Sequence, residues 1–483
     1  MSNSDNLDKN VQDCINKSKE TEELKLGKSQ KQFDDLQDSS DLIYGLNDKP
    51  PVIDAIFAAL QHLLAIFVGI ITPTLIIGGV LGLGSEVPYL ISMALIVSGV
   101  ATFIQVKRIG PIGSGLLSIQ GTSFAFLGSI LAAGFMVKSQ GGGTKEILAT
   151  IYGLCFFGAF IEMFLSRFLH HLKKVISPIV TGVVVTTIGL SLIKVGITDM
   201  AGGQWLLDNK PEFFGNMENL GLGFLVLVII VIFNRSKNQF LRMSSIVIGL
   251  AIGYIVAIFM GKVDLSGLKD LPLISIPIPF KYGIKFNLTA FVPIALIYLI
   301  TTIESIGDLT ATSMVSKEPI EGDVYIKRIE GGVLGDGVNS ALAAIFNTFP
   351  NTTFSQNNGV IQLTGVASRY VGMYIAGLLV ILGLFPIIGG VFQQMPKPVL
   401  GGATIVMFAT VAAAGIKIIS SQKIDRRAMM IMALSFGLGL GVMMVPEVLG
   451  KMSVTIQRIF GSPITTGGLT AIIANIILPK VKN

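Results

Sequence analysis

Residues 347–359 read Asn-Thr-Phe-Pro-Asn-Thr-Thr-Phe-Ser-Gln-Asn-Asn-Gly, and they interrupt a chain that is otherwise a succession of apolar runs. An unbroken apolar run of about 20 residues crosses a bilayer as a helix. Polar, Gly and β-favouring residues at the same depth leave backbone groups unpaired, which is tolerated only where the backbone lines a cavity or is buried in protein. This stretch therefore predicts a broken membrane segment beside a cavity.

A second irregular stretch lies in the first half of the chain, where Gly113-Ser114-Gly115 is followed by Ser118-Ile119-Gln120-Gly121-Thr122-Ser123-Phe124. Gln120 precedes residue 355 by about 235 residues, the same distance that separates the first apolar run, near 53, from the eighth, near 288. The third span of each half is therefore the broken one. Halves of seven spans run in opposite directions because seven is odd, so the sequence predicts inverted repeats with a site near the membrane midplane.

The composition excludes a soluble protein. Hydrophobic residues make up 51% and charged residues 14% of the 483 residues, whereas a soluble protein needs roughly a quarter of its residues charged to cover its surface. The first 50 residues hold seven Lys, eleven Asp or Glu and few bulky apolar side chains. Such a segment cannot bury enough surface to offset its ordering entropy, so residues 1–50 are predicted to form a disordered cytoplasmic tail.

The apolar runs predict about fourteen membrane spans. If the N-terminus lies inside, the basic connections, such as Lys107-Arg108 and Lys327-Arg328, all lie on the cytoplasmic side, as positive residues favour. The acidic N-terminus does not read as a cleaved signal peptide. We therefore expect a multi-pass protein of the plasma (cytoplasmic) membrane with both termini in the cytoplasm. The predicted spans are 53–83, 88–106, 112–134, 147–166, 175–195, 220–234, 243–261, 288–313, 332–348, 353–367, 370–390, 397–416, 427–446 and 463–479.

Charged side chains at membrane depth are the first candidates for function, because each costs roughly 2.5 to 3.5 kcal/mol on insertion scales. The eighth span holds Glu304 and Asp308 one helical turn apart, and Asp336 follows in the ninth. Two carboxylates on one helix face repel if both ionise, so one should bind a proton readily. When the tail and loops are set aside, these three carboxylates are the ones that remain. Asp308 and Asp336 are also consistent with a structural role, and His62 is as consistent with packing as with proton transfer.

The segment Ser355–Arg369, Ser-Gln-Asn-Asn-Gly-Val-Ile-Gln-Leu-Thr-Gly-Val-Ala-Ser-Arg, resembles the signature of the nucleobase-ascorbate transporter family, also called nucleobase:cation symporters, in its xanthine and uric acid branch. Four other stretches agree in the same order along the chain, and the resemblance covers residues 50–480. These stretches are Gln61-His62, Gln120–Phe124, Glu304 with Gly307-Asp308, and Gly335-Asp336-Gly337.

The resemblance implies a fold. It is an all-α polytopic membrane protein of fourteen segments in two inverted seven-segment repeats, with short antiparallel strands in segments 3 and 10 that meet at the substrate. Segments 1–4 and 8–11 would form a core domain from residues 51–170 and 286–392. The other six would form a gate domain from residues 171–265 and 393–483. The family also suggests a homodimer made through the gate segments.

Carried over residue by residue, the resemblance implies a purine site. The carboxylate of Glu304 and the amide of Gln356 would bind the base. Backbone groups of Phe124 and Ser355 would add hydrogen bonds, and the Phe124 ring would pack on the base. Four residues would serve proton coupling or support the site: His62, Asp308, Asp336 and Asn357. The proton is the expected coupling ion, as bacterial-like relatives imply. No other cofactor and no metal site is expected.

The chemistry of these side chains suits an oxidised purine. A carboxylate only accepts hydrogen bonds while an amide donates and accepts, so Glu304 and Gln356 together match an edge of N–H and carbonyl groups. Uracil permeases resemble this plan but place a carboxylate at the position of Gln356, which favours a bicyclic purine here. The small hydroxyl residues Thr122 and Ser123 would leave room for the C8 oxygen of urate. Xanthine and urate therefore both stay open as substrates.

Other classes of function fit less well. Three His and two Cys at unhelpful spacings supply neither a nucleophile with its base nor a metal cluster, which argues against an intramembrane enzyme. The basic excess follows membrane topology, so no nucleic-acid partner is expected. The open alternatives are a permease for uracil or another nucleobase and an anion transporter or exchanger of the same fold, although Glu304 would repel an inorganic anion. We expect proton symport by alternating access.

Overall fold

The structure, a computed structural model, describes residues 42–169, 177–420, 422 and 424–479. Within these ranges it consists of helices and two three-residue strands. Residues 1–41 of the predicted tail lie outside the described part of the chain. The helices and strands are α1 (Val52–Leu81), α2 (Val87–Lys107), β1 (Gln120–Thr122), α3 (Leu127–Ser139), α4 (Thr144–Leu165), α5 (Pro178–Met200), α6 (Gln204–Asn209), α7 (Met217–Asn234), α8 (Gln239–Met243), α9 (Ser245–Phe259), α10 (Leu288–Val315), α11 (Gly322–Ile345), β2 (Asn351–Thr353), α12 (Gln356–Thr364), α13 (Arg369–Gly383), α14 (Pro386–Gln393), α15 (Lys397–Ser420), α16 (Arg426–Met444), α17 (Val454–Phe460) and α18 (Pro463–Ile477).

Many of these helices can cross a membrane. Among the described residues, eight are long and apolar enough, and the pair α13 and α14, bent by 74°, makes up to nine. Three shorter apolar helical segments, Phe124–Ser139, Ser245–Phe259 and Pro463–Ile477, add to them. The chain is therefore a multi-pass membrane protein. Helices α11 and α12 are not among the apolar helices counted, so the total of fourteen spans stays a prediction.

The order of elements occurs twice along the chain, as α1-α2-β1-α3-α4 and again as α10-α11-β2-α12-α13. The helices that follow each set, α5 and α15, pack closely along one another. A Cβ added to Gly189 would lie 2.3 Å from the backbone nitrogen of Ala412, and one added to Gly415 would lie 2.4 Å from that of Thr186. Small residues at such positions let two membrane helices approach backbone to backbone.

The two strands pair antiparallel, and Gly121 of β1 lies opposite Thr352 of β2. The prediction of two short antiparallel strands that pair with each other is thus confirmed. A Cβ on Gly121 would lie 2.6 Å from Cζ of Phe354 and 2.9 Å from Cγ1 of Ile70. A larger residue would therefore separate the strand pair from α1, and glycine keeps β1 in place.

Residues 42–50, predicted as the last part of the disordered tail, are instead bound to the chain that follows α12. The backbone N–H of Ile43 donates to the carbonyl of Gly365 at 2.8 Å, and that of Ala367 donates to Tyr44 at 2.9 Å. Leu46 is buried beside Leu309 and other apolar side chains. The boundary between tail and membrane domain, predicted at residue 50, therefore lies before Ile43. The prediction was wrong because the segment as a whole is polar, although apolar side chains stand at its end.

The connection between α9 and α10 lies across the ends of other helices. The ammonium of Lys281 pairs with the carboxylate of Glu86 at 2.9 Å and lies 3.8 Å from the ring centroid of Tyr89. The hydroxyl of Tyr282 also donates to Glu86. Burial and this hydrogen bond raise the pKa of Tyr282 well above its usual value, so the hydroxyl stays a donor. The connection therefore fastens one end of the bundle that holds the strand pair.

Candidate functional site

The strand pair leads directly into two helical segments that begin inside the protein. Ser123, which follows β1, donates its backbone N–H to Pro350 at 2.8 Å, and Phe354, which follows β2, donates to Ile119 at 3.0 Å. The chain then turns into a helical segment beginning at Phe124 and into α12. The first N–H groups of a helix have no partner within it and carry partial positive charge. Two sets of such donors therefore lie beside the strands.

Asp336 of α11 is fully buried and accepts hydrogen bonds from two other helices. Nε2 of Gln105 on α2 donates to Oδ1 at 2.7 Å, and the hydroxyl of Ser305 on α10 donates to Oδ2. The glycines on either side make this approach possible: a Cβ on Gly335 would lie 2.9 Å from Gln105 Nε2, and one on Gly337 would lie 2.8 Å from a side-chain atom of α4. Asp336 thus joins three helices at one buried point.

Asp308 of α10 is buried as well and lies against the second irregular segment. The hydroxyl of Thr353, at the end of β2, donates to Oδ2 of Asp308 at 3.2 Å. One turn further on, Thr312 donates to the side-chain oxygen of Asn358 in α12 at 2.7 Å. These contacts tie α10 to both β2 and α12. Both aspartates thus make contacts that fit the structural role with which the sequence was also consistent.

Glu304, on the same helix, differs from the aspartates. It is partly exposed, as are Ser355 and Gln356 at the start of α12. Its Oε2 atom has no hydrogen-bond partner among the described residues. The carboxylates of Glu304, Asp308 and Asp336 are close enough for their charges to interact. Of the residues predicted to bind substrate, Glu304, Ser355 and Gln356 are therefore partly exposed, whereas Phe124 and the Oε2 atom of Glu304 itself are buried.

His62 of α1 is fully buried beside Asn357 of α12. Neither ring nitrogen of His62 makes a hydrogen bond of normal geometry with the described residues, and the side-chain oxygen of Asn357 has no partner either. The amide nitrogen of Asn357 donates instead to the carbonyl of Leu117, just before β1. Asn357 thus connects the two irregular segments, with the imidazole alongside.

Thr122 and Ser123 are buried at the end of β1, and their hydroxyl oxygens have no hydrogen-bond partner within the described chain. Phe124 follows them, and its ring lies edge-on to the ring of Phe408, 5.2 Å between centroids. Phe408 belongs to α15. The site therefore borders a helix from the opposite end of the sequence.

Three residues of this arrangement escaped the sequence analysis: Gln105, Ser305 and Phe408. A signal existed for the first two, since Gln105 is a polar residue within an apolar run and Ser305 adjoins Glu304. Phe408 is one of 29 phenylalanines and carried no signal.

The prediction that Glu304, Asp308 and Asp336 are the remaining carboxylates at membrane depth is wrong. Glu162 lies in α4, within the predicted fourth span, and is buried, with 1% of its surface exposed. The sequence signal was present, because Glu162 stands alone among apolar neighbours. The site region therefore contains a fourth carboxylate.

Broken segments that meet inside a multi-pass bundle are the architecture of secondary transporters, in which helix ends and irregular backbone form the site. The fold and site thus define a membrane transporter. The family model Xan_ur_permease, described as "Permease family", matches residues 53–448. The chain belongs to this family, the nucleobase-ascorbate transporters. It is a permease and not an enzyme.

Two relatives come from Escherichia coli strain K12. Xanthine permease XanQ is 50% identical over 441 residues, which cover 91% of this chain and 94% of XanQ. Xanthine permease XanP is 48% identical over 446 residues, which cover 92% of this chain and 96% of XanP.

Two solved structures share the fold. The transmembrane domain of the cyanobacterial bicarbonate transporter BicA matches with a TM-score of 0.53 at 16% identity, over 89% of this chain and 99% of that one. The structure of SLC26A9 matches with a TM-score of 0.59 at 13% identity, over 90% of this chain and 67% of that one. Identities this low show a common fold and nothing about substrate.

Proposed function

We propose that the chain is a secondary active transporter that imports an oxidised purine, xanthine or uric acid or both, by proton symport. The observation that carries this proposal is a set of partly exposed polar residues on the two helices next to β2: Glu304 on α10, and Ser355 and Gln356 at the start of α12. The names of the relatives XanQ and XanP, both xanthine permeases, support the substrate class.

The chemistry of recognition follows from these groups. Oε2 of Glu304 is an acceptor without a partner among the described residues and matches a ring N–H of the purine, while the Gln356 amide matches a neighbouring carbonyl and N–H. The Phe124 ring supplies an apolar face. A site of this kind rejects bases that lack the matching edge, because its own buried polar groups would then lose their partners.

Urate differs from xanthine by a C8 oxygen. We assign to it the hydroxyls of Thr122 and Ser123, which have no hydrogen-bond partner in the described part of the chain. A hydroxyl donates to a carbonyl oxygen and leaves more room than a longer amide. We therefore propose that both purines enter the site.

Transport by alternating access requires that the site be reached from each side in turn. We propose a core domain of 51–170 and 286–392 that moves against a gate domain of 171–265 and 393–483, in fourteen segments and two inverted repeats. Phe124 against Phe408 and Gly307 against Thr181 are contacts between these parts. We further propose a homodimer formed through the gate, in the plasma membrane, with both termini in the cytoplasm.

A competition experiment tests the substrate. The full chain is expressed in Escherichia coli cells that lack their own purine permeases, and uptake of radiolabelled xanthine is measured against excess xanthine, urate, hypoxanthine, guanine and uracil. We expect unlabelled xanthine and urate to compete and uracil not to compete. Competition by uracil would make the chain a general nucleobase permease, and anion flux without purine competition would make it an anion transporter.

A further inference from the structure

Glu162 is a buried acid to which the proposed purine site assigns no role. It lies in α4, one turn before the helix ends at Leu165, and it is 1% exposed. Its Oε1 atom has no hydrogen-bond partner among the described residues. None of the ion pairs found in the described part of the chain includes it. Its carboxyl group is therefore enclosed without a compensating charge from the described residues.

The packing of α4 places Glu162 beside the site. A Cβ on Gly337 would lie 2.8 Å from Cγ of Met163 and 3.2 Å from the carbonyl oxygen of Ala159, so α4 touches α11 next to Asp336. The charged groups that act on Glu162 are Asp336 of α11 and Glu304 of α10, both acidic. The phenol of Tyr298 on α10 is a third titratable neighbour. Glu162 thus faces acids on α10 and α11, two of the three helices that pack against α4. The third, α3, has one titratable side chain, Lys138, whose ammonium donates to the carbonyl of Leu81.

An ionised carboxylate in these surroundings is costly. Burial without a partner strongly disfavours the ionised form of a carboxyl group, and two neighbouring acids add repulsion. A bound proton removes both penalties. Glu162 lies between the acids of the site and the Leu165 end of α4. Beyond that end the chain enters its next basic connection, which begins near Arg167.

We propose that Glu162 carries the coupling proton between the acids of the purine site and the aqueous phase at the Leu165 end of α4, which is the cytoplasmic side in the predicted topology. In this step the carboxylic acid of Glu304 or Asp336 gives its proton to the Glu162 carboxylate and becomes ionised. Glu162 then releases the proton to water and ionises again. The inference rests on the proposed proton symport and adds a residue to it.

The test uses the full chain in proteoliposomes and the variant Glu162→Gln, which keeps the shape of the side chain but binds no proton. Two processes are measured with labelled xanthine: exchange against xanthine inside the vesicle, which moves no net proton, and accumulation driven by an imposed proton gradient. We expect Glu162→Gln to keep exchange and to lower the initial rate of accumulation by about a hundredfold, the lower end for a missing proton-transfer group. Xanthine-dependent proton entry, followed with a pH-sensitive dye, should fall in parallel.

Two further variants make the result specific. Glu162→Asp keeps a carboxyl group and should restore accumulation. Glu146→Gln carries the same substitution at the exposed start of the same helix and should behave as the unmodified protein in both measurements.

Three outcomes would overturn the proposal: accumulation by Glu162→Gln at the unmodified level, equal loss of exchange and accumulation in a correctly inserted variant, or no rescue by Glu162→Asp. Failure of the proposed function looks different, because the unmodified protein would then exchange xanthine without any response to a proton gradient, or would not transport xanthine.

Discussion

The ring of Phe124 meets the ring of Phe408 edge to face, with centroids 5.2 Å apart and 85° between the ring planes. Phe124 follows the strand β1, and Phe408 lies in α15, so the contact joins the irregular segment of the site to a helix of the proposed gate. The phenylalanine proposed to cover the purine is therefore held by a residue from the part of the protein against which it is proposed to move.

Replacing Phe408 by leucine should weaken purine binding. The substitution keeps an apolar side chain but removes an aromatic pair worth about 0.5–1.5 kcal/mol. We expect the apparent KM for xanthine to rise by about threefold to tenfold, because 1.4 kcal/mol corresponds to a factor of ten. The measurement is the concentration dependence of xanthine uptake. Phe259→Leu, at a position 87% exposed in α9, is the control. An unchanged KM in Phe408→Leu would separate Phe408 from the site.

Replacing Glu304 by glutamine should abolish or severely reduce xanthine uptake. The amide loses the charge of the acceptor, and hydrogen bonds to charged groups contribute about 1.5–3 kcal/mol. The variant should still reach the membrane, which immunoblotting of membrane fractions checks. Glu212→Gln, exposed in the connection between α6 and α7, is expected to transport normally. Normal transport by Glu304→Gln would remove Glu304 from the substrate site.

The donors that hold Asp336 give a prediction about stability. Ser305→Ala and Gln105→Leu each remove one hydrogen bond from a fully buried carboxylate, and a buried polar group left without its partner costs about 1–3 kcal/mol. Thermal unfolding of the detergent-solubilised protein should show a lower Tm for both variants. Thr410→Ala removes an exposed hydroxyl that bonds to its own helix and should leave the Tm unchanged. An unaltered Tm in both site variants would contradict this account of Asp336.

The contact between Gly307 and Thr181 should be sensitive to one methyl group. A Cβ on Gly307 would lie 2.5 Å from Cγ2 of Thr181, so Gly307→Ala forces α10 away from α5. We expect xanthine uptake to fall by about tenfold, which corresponds to about 1.4 kcal/mol and lies within the usual cost of overpacking. Adding Thr181→Ser, which deletes the clashing methyl, should restore most of the activity.

A glycine with free space beside it controls for the loss of glycine itself. Gly377→Ala on α13, where no atom lies within 4 Å of the new Cβ, should have little effect. Failure of Thr181→Ser to rescue Gly307→Ala would show that crowding at this contact is not the cause.

Much of the fold was readable from the sequence, because breaks in apolar periodicity have a physical meaning at membrane depth. Spacing predicted that the stretch 347–359 and the stretch around Gln120 are corresponding broken segments, and the family resemblance implied that antiparallel strands in them meet. The two stretches do pair, as β1 and β2. The division into core and gate is a matter of relative motion, which breaks in apolar periodicity do not encode.

The site was predicted less completely than the fold. Residues with costly charges, such as Glu304 and Asp336, stand out in an apolar sequence, but the groups that satisfy them do not. Gln105 lies 231 residues from Asp336 along the chain, and only helix packing through Gly335 brings the two together. Phe408 is recognisable as a neighbour of the site only from the contact of its ring with the ring of Phe124.

Coupling of purine import to a proton gradient can be measured on the purified protein. The full chain is reconstituted in proteoliposomes, a proton gradient acid outside is imposed, and entry of labelled xanthine is followed with and without a protonophore. We expect xanthine to accumulate above its external concentration, and this accumulation should collapse when the protonophore is added. Equal accumulation with and without the protonophore, or no xanthine entry by correctly inserted protein, would contradict it.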